Sequence, residues 1–156
     1  MPIPAFIATL RAKIGHDPLW LTGVSGIVLD ASDRLLLTRR VDSGAWALPS
    51  GIIEPGEQPA VTLGREVTEE TGVVAEVERL VSVVSLQPQV YTNGDQVQFL
   101  DLTFACGYLG GVARVADDEN LEVAWFPLSA LPDLDSYTRT RVELARSKQP
   151  LTYFER

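Results

Sequence analysis

The sequence predicts a single layered α/β (α+β) domain, and three observations carry that prediction. Runs of β-branched and apolar residues recur along the chain, separated by turn residues. Between them, residues 59–71 place apolar side chains at helical spacing, and two further helical patterns stand near the ends. No internal repeat, low-complexity segment or linker divides the 156 residues. Such a length fits one domain that buries about two-thirds of its unfolded surface.

Each element follows from its residues. Ile3, Phe6, Ile7, Leu10 and Ile14 share a helical stripe and predict a short amphipathic helix within residues 1–16. It would pack on the domain or on a partner subunit in a homodimer. The only histidine, His16, follows in a loop and is assigned a structural or solvent role. Leu19 to Leu29 reads as a buried strand, Asp30 to Asp33 as a turn, and Arg34 to Arg40 as the partner strand of a hairpin. Arg39 and Arg40 close that strand beside a loop, where arginines contact a phosphate or are simply solvated.

Pro59 opens the central helix at a position where its missing N–H is no loss, and Gly72 stops it. Ala60, Leu63, Gly64, Val67 and Thr71 form its apolar side, and Glu66, Glu69 and Glu70 fall on a different arc. One side is therefore expected to pack while the other presents carboxylates. Val73 to Leu86 resumes strand character, with Arg79 as a polar interruption. Residues 87–95 form a loop with an Asn93-Gly94 turn signal. Gln96 to Tyr108 and Leu121 to Phe126 are the next strands, and Ser136 to Ser147 is a C-terminal helix.

Composition excludes several classes of function. A net charge of −8 argues against a nucleic-acid surface, which needs clustered Lys and Arg. No apolar run is long enough to cross a bilayer, and the N-terminus lacks the pattern of a secretory signal. A lone cysteine forms no internal disulfide and suits a cytoplasmic location, and Cys106, set in an apolar run, reads as an inert core thiol.

The chemistry concentrates between Gly51 and Val73, GIIEPGEQPAVTLGREVTEETGV. Glu66, Glu69 and Glu70 stand at i, i+3 and i+4, and like charges so placed repel by a few tenths of a kcal/mol per pair. A hard divalent cation, which prefers carboxylate and phosphate oxygens, relieves that repulsion.

This stretch resembles the Nudix box, G-x5-E-x7-R-E-U-x-E-E-x-G-U with U a bulky apolar residue. Gly51, Glu57, Arg65, Glu66, Val67, Glu69, Glu70, Gly72 and Val73 fill every specified position. The Leu48-Pro49 pair before it and the segment ENLEVAWFPLSALP after it are also similar to Nudix sequences, whereas Ser50 stands where many members carry glycine. The resemblance implies an α/β/α sandwich with a mixed sheet. It also implies an Mg²⁺-dependent hydrolase (Mn²⁺ being the alternative) that cleaves the pyrophosphate bond of a nucleoside diphosphate linked to another moiety. ADP-ribose, a nucleotide sugar or a nucleoside triphosphate is the expected kind of substrate. Glu66, Glu69 and Glu70 are the implied catalytic and metal-binding residues, with the Gly51 carbonyl as a further ligand and Glu57 with Arg65 as a brace. A carboxylate outside the box is also implied. Glu119 is the first candidate, then Glu122, then Asp117 and Asp118. Arg39, Arg40, Tyr91, Asp95 and Gln98 are the substrate-binding candidates, with Phe99 and Trp46 as further aromatics able to stack on a base. Two alternatives stand beside this reading. One is a catalytically idle nucleotide-sugar-binding domain, and the other an isoprenoid-diphosphate isomerase using Cys106.

Overall fold

A computed structural model of the chain describes residues 3–147 and 151–155. Its elements are α1 (Ala5–Ile14), β1 (Leu19–Leu29), β2 (Arg34–Arg40), β3 (Trp46–Ala47), β4 (Ser50–Ile52), α2 (Pro59–Thr71), β5 (Val73–Ser85), β6 (Gln89–Val90), β7 (Gln96–Gly111), β8 (Asn120–Pro127), α3 (Ser136–Arg146) and β9 (Tyr153–Phe154). Residues 1 and 2, counted above with the first helix, lie outside the described residues.

One mixed sheet forms the middle layer, ordered β3-β2-β1-β7-β5-β9, with β4 beside β1, β6 beside β7 and β8 beside β2. Strand β1 runs parallel to β7 along its full length, from Leu19 opposite Val97 to Leu29 opposite Gly107. Side chains alternate across a strand, so β1 serves both faces. Val24 and Val28 meet Leu63 and Val67 of α2 on one side. On the other, Ile27 packs with Val142 of α3, and Leu21 packs with Ile7 of α1. The α/β/α sandwich is thus generated by alternation in one apolar strand.

Three expectations need correction. β1 and β2 do form a hairpin around the Asp30 turn, but they pair only at Leu29 and Leu35; β2 then takes β8 as its long partner. Arg79 does not simply interrupt β5. The β5–β7 register shifts at Val77/Arg79, and the Arg79 guanidinium donates to the Leu144 and Ala145 carbonyls at the end of α3. Most important, Glu66 and Glu70 do not stand on an open face of α2. They are 0% and 2% exposed, because the β4 segment covers them.

Candidate functional site

The site grows from the contact between β4 and α2. Pairing of Val24 with Gly51 and Ser25 with Ser50 holds β4 against β1. Gly51 lies so close to Glu66 that a Cβ there would overlap the glutamate's Cγ and Cδ. Only glycine permits that approach. Ser50 sits in ordinary extended strand, and its backbone N–H donates to Glu70. The Ser50 φ is not positive, so the serine is held there without the backbone strain that would call for glycine.

Burial dominates the electrostatics. It pushes the Glu66 carboxyl up to about 7, against the pull of Arg65. It pushes Glu70 up to about 8, helped by the neighbouring charges of Asp117 and Glu66 and opposed by Arg40. The Oε2 atoms of both glutamates are buried without a hydrogen-bond partner. Such orphaned oxygens are rare and costly in folded proteins. The described residues hold no ready-made cluster of three carboxylate, imidazole or thiol groups at ligating spacing. Glu69 is turned toward Arg65 and its side chain is 53% exposed. The orphaned Glu66 and Glu70 oxygens, hard donors beside the Gly51 backbone, fit a hard divalent cation.

Arg65 serves more partners than Glu57 alone. Its Nε and Nη2 donate to Glu57 at 3.3 and 3.1 Å, while Nη1 reaches Glu66 at 3.0 Å and Glu69 at 3.1 Å. Arg65, Thr62 Oγ1 and the Glu54 backbone N–H together hold the Glu57 carboxyl below its usual range. One guanidinium thus ties Glu57, in the loop before α2, to Glu66 and Glu69 of the helix.

A cleft of about 620 Å³ opens beside β4, over the β1–β7 strip and against α1. Arg40, Gly51 and Glu119 line it, with Arg40 Nη1 3.3 Å from Glu119 Oε2. Tyr91 and Asp95 line it as well, and Tyr91 feels the charge of Arg40 ahead of that of Arg11. Arg39 points elsewhere, its Nε donating to Gly44 O and its Nη1 3.9 Å from Glu122. Asp117 accepts from the Glu119 backbone and from Asn120. The Gln98 amide is engaged by Ser85 and Leu86 and does not line the cleft. Trp46 belongs to the core beside Leu48. Cys106 is buried under α2, far from a cleft role, and burial raises its thiol to about 12.

The floor was missed by sequence reasoning. Asp101, paired with Gly23 in register, accepts from Ser25, Thr103, Tyr137 and Arg141. An Asp between Leu100 and Leu102 was the available signal, but two of its partners come from α3, 36 and 40 residues away.

Comparison with known proteins agrees with this geometry. The family model described as NUDIX domain matches residues 20–146. A MutT-like protein of Streptomyces ambofaciens is 39% identical over 108 residues, covering 69% of this chain and 64% of that protein. The human 8-oxo-dGDP phosphatase NUDT18 is 37% identical over 112 residues, 70% of this chain and 33% of that one. The chain thus aligns with one-third to just under two-thirds of these relatives' lengths. Among solved structures, a UDP-X diphosphatase superposes with a TM-score of 0.65 at 26% identity, covering 90% of this chain and 68% of that one. No helix of the described residues is long and apolar enough to cross a membrane. The chain belongs to the NUDIX domain family.

Proposed function

We propose that the protein is a Mg²⁺-dependent hydrolase of the pyrophosphate bond in nucleoside diphosphates that carry a further group. The observation that carries this reading is the pair of buried, unpartnered carboxylate oxygens on Glu66 and Glu70, set behind Ser50 and Gly51, which line the cleft. Glu66 and Glu70 would hold the cation, with Glu69, the Gly51 carbonyl and Glu119 within the same region as further donors. When bound, the cation supplies concentrated positive charge at the diphosphate and a more acidic water. Arg40, which lines the cleft with Gly51, would donate to phosphate oxygens in exchange for Glu119 and Asp42. Arg65 holds the α2 carboxylates in position.

The names of the relatives support a nucleoside diphosphate core. One acts on 8-oxo-dGDP and one solved structure is a UDP-X diphosphatase. The isomerase reading loses its residue, since Cys106 is a core thiol away from the cleft. The test is a product-resolved screen of nucleoside diphosphate derivatives with Mg²⁺, repeated on Glu70→Gln. Release of a mononucleotide by the native chain and its loss in the variant are expected. Tight binding without turnover across the panel would leave an idle binding domain instead.

A further inference from the structure

Strand β4 covers Glu66 and Glu70, yet it is three residues long, and its ladder partner is β1 at Gly23, Val24 and Ser25. So short a strand is weakly held by hydrogen bonds alone. Side chains supply the rest. Ile53, the next residue, packs against the cluster that contains Leu63 and Val67 of α2. Ile52, turned the other way by alternation, packs against the cluster of Ile7, Leu21 and Val97. Ile7 is the buried residue of α1, a helix that precedes the matched family region. That helix is ten residues long, and its Pro4 N-cap makes no side-chain hydrogen bond. A helix of this length is marginal by itself in water. Arg11 fastens its far end. Nη1 donates to the Gly15 and Asp17 carbonyls at 3.1 and 2.6 Å, and Nη2 to Gln96 O of β7 at 2.7 Å. Nε stands 3.5 Å from Asp95 Oδ1.

Resting on the hydrolase reading above, we infer that α1 is a brace that presses β4 onto the two cation-binding glutamates, with Ile7 and Arg11 as its positioning residues. The tolerance at that contact is small. Gly51 has no room for a Cβ against Glu66, and the Ser50 N–H donates to Glu70. A shift of β4 away from α2 opens both contacts together and admits water to the two buried carboxyls. Truncating Ile7 leaves the cluster that seats Ile52 under-filled, which permits that shift. Arg11 acts one step further away. Without it the end of α1 loses its ties to Gln96 and Asp95, and Ile7 loses its anchorage. Cation affinity thereby depends on a helix outside the family region.

The test joins two readings of the full chain: amide hydrogen exchange in chelator, and Mn²⁺ binding followed by the electron paramagnetic resonance of the free ion. In Ile7→Ala and Arg11→Ala, exchange at the Ser50 N–H should speed up about tenfold relative to the β1 core amides. Mn²⁺ should bind both variants about tenfold more weakly. Ile7→Val should stay within about threefold of the native chain in both readings. Asp135→Ala, which loosens α3 instead, should change neither. Circular dichroism confirms that each variant is folded. Unchanged relative exchange at Ser50 in either α1 alanine variant would overturn the inference, as would an equal change in Asp135→Ala. Faster Ser50 exchange with native Mn²⁺ affinity would break the link to the glutamate pair. The exchange reading needs neither metal nor turnover. A native chain that ignores Mn²⁺ therefore counts against the hydrolase reading, while the brace stands or falls on Ser50.

Discussion

Helices α2 and α3 pack on opposite faces of the same strands, and both bury charge, but they treat it in opposite ways. In α3 the ends are satisfied. Asp135 accepts from Thr138 N and Oγ1 at the start, and Arg79 caps the carbonyls at the end. Its buried Arg141 meets the opposite charge of Asp101 at 2.9 Å, so that although one nitrogen, Nε, has no hydrogen-bond partner, the charge itself is paired. In α2 no side chain caps the N-terminus, no basic residue stands in the last turn, and two buried glutamates keep an unpartnered oxygen each. One helix is organised for stability. The other is left electrostatically unfinished beside the cleft, as functional sites commonly are.

The comparison yields a graded set of effects. The largest belongs to α3. Arg141→Met strands the Asp101 carboxylate and should lower stability by about 3 kcal/mol or more, measured by urea unfolding. A small effect would mean that the pair is not the tie it resembles. In α2 the large effect falls on chemistry, where Glu70→Gln should reduce hydrolysis by about a hundredfold or more in single-substrate kinetics. Third is the pH dependence of the chelated protein. The Glu66 and Glu70 carboxyls lie near 7 and 8 when folded, above the usual value of about 4.3 in the unfolded chain. The folded state therefore keeps protons that the unfolded chain has released, and stability falls as pH rises from about 5 to 8. Thermal melts across that window check the sign, and a rise would contradict it. The smallest effect is the cap. Asp135→Ala should cost about 1 kcal/mol. Burial opposes ionisation of Asp135, but the Thr138 hydrogen bonds hold its carboxyl below the usual range. Its contribution is present at neutral pH and is lost only as pH falls through that lowered value.

What could be read from the sequence divides along the same line. The bounds of β1, β2 and α2 follow from apolar runs, a proline and a glycine, all local signals. The box glutamates were legible as a group through their spacing, but their burial was not. Periodicity within α2 separates Glu66 and Glu70 from the apolar stripe, and nothing in the helix says that Gly51 closes over them. The parallel pairing of β1 with β7 joins residues nearly eighty positions apart and leaves no local mark. The same holds for the cleft floor, where Asp101 finds its partners on α3, and for α1, whose role as a wall depends on the Arg11 contacts to Asp95 and Gln96.

The central claim is that α2 sacrifices stability at Glu70 to hold a divalent cation. The direct measurement is the melting temperature of native and Glu70→Gln protein, each with chelator and with Mg²⁺. With chelator at pH 8, the variant should melt above the native chain, because it removes a buried charge that lacks a full set of partners. Mg²⁺ should raise the native melting temperature and leave the variant nearly unmoved. A variant less stable than the native chain under chelation, with the same Mg²⁺ shift in both, would contradict the claim.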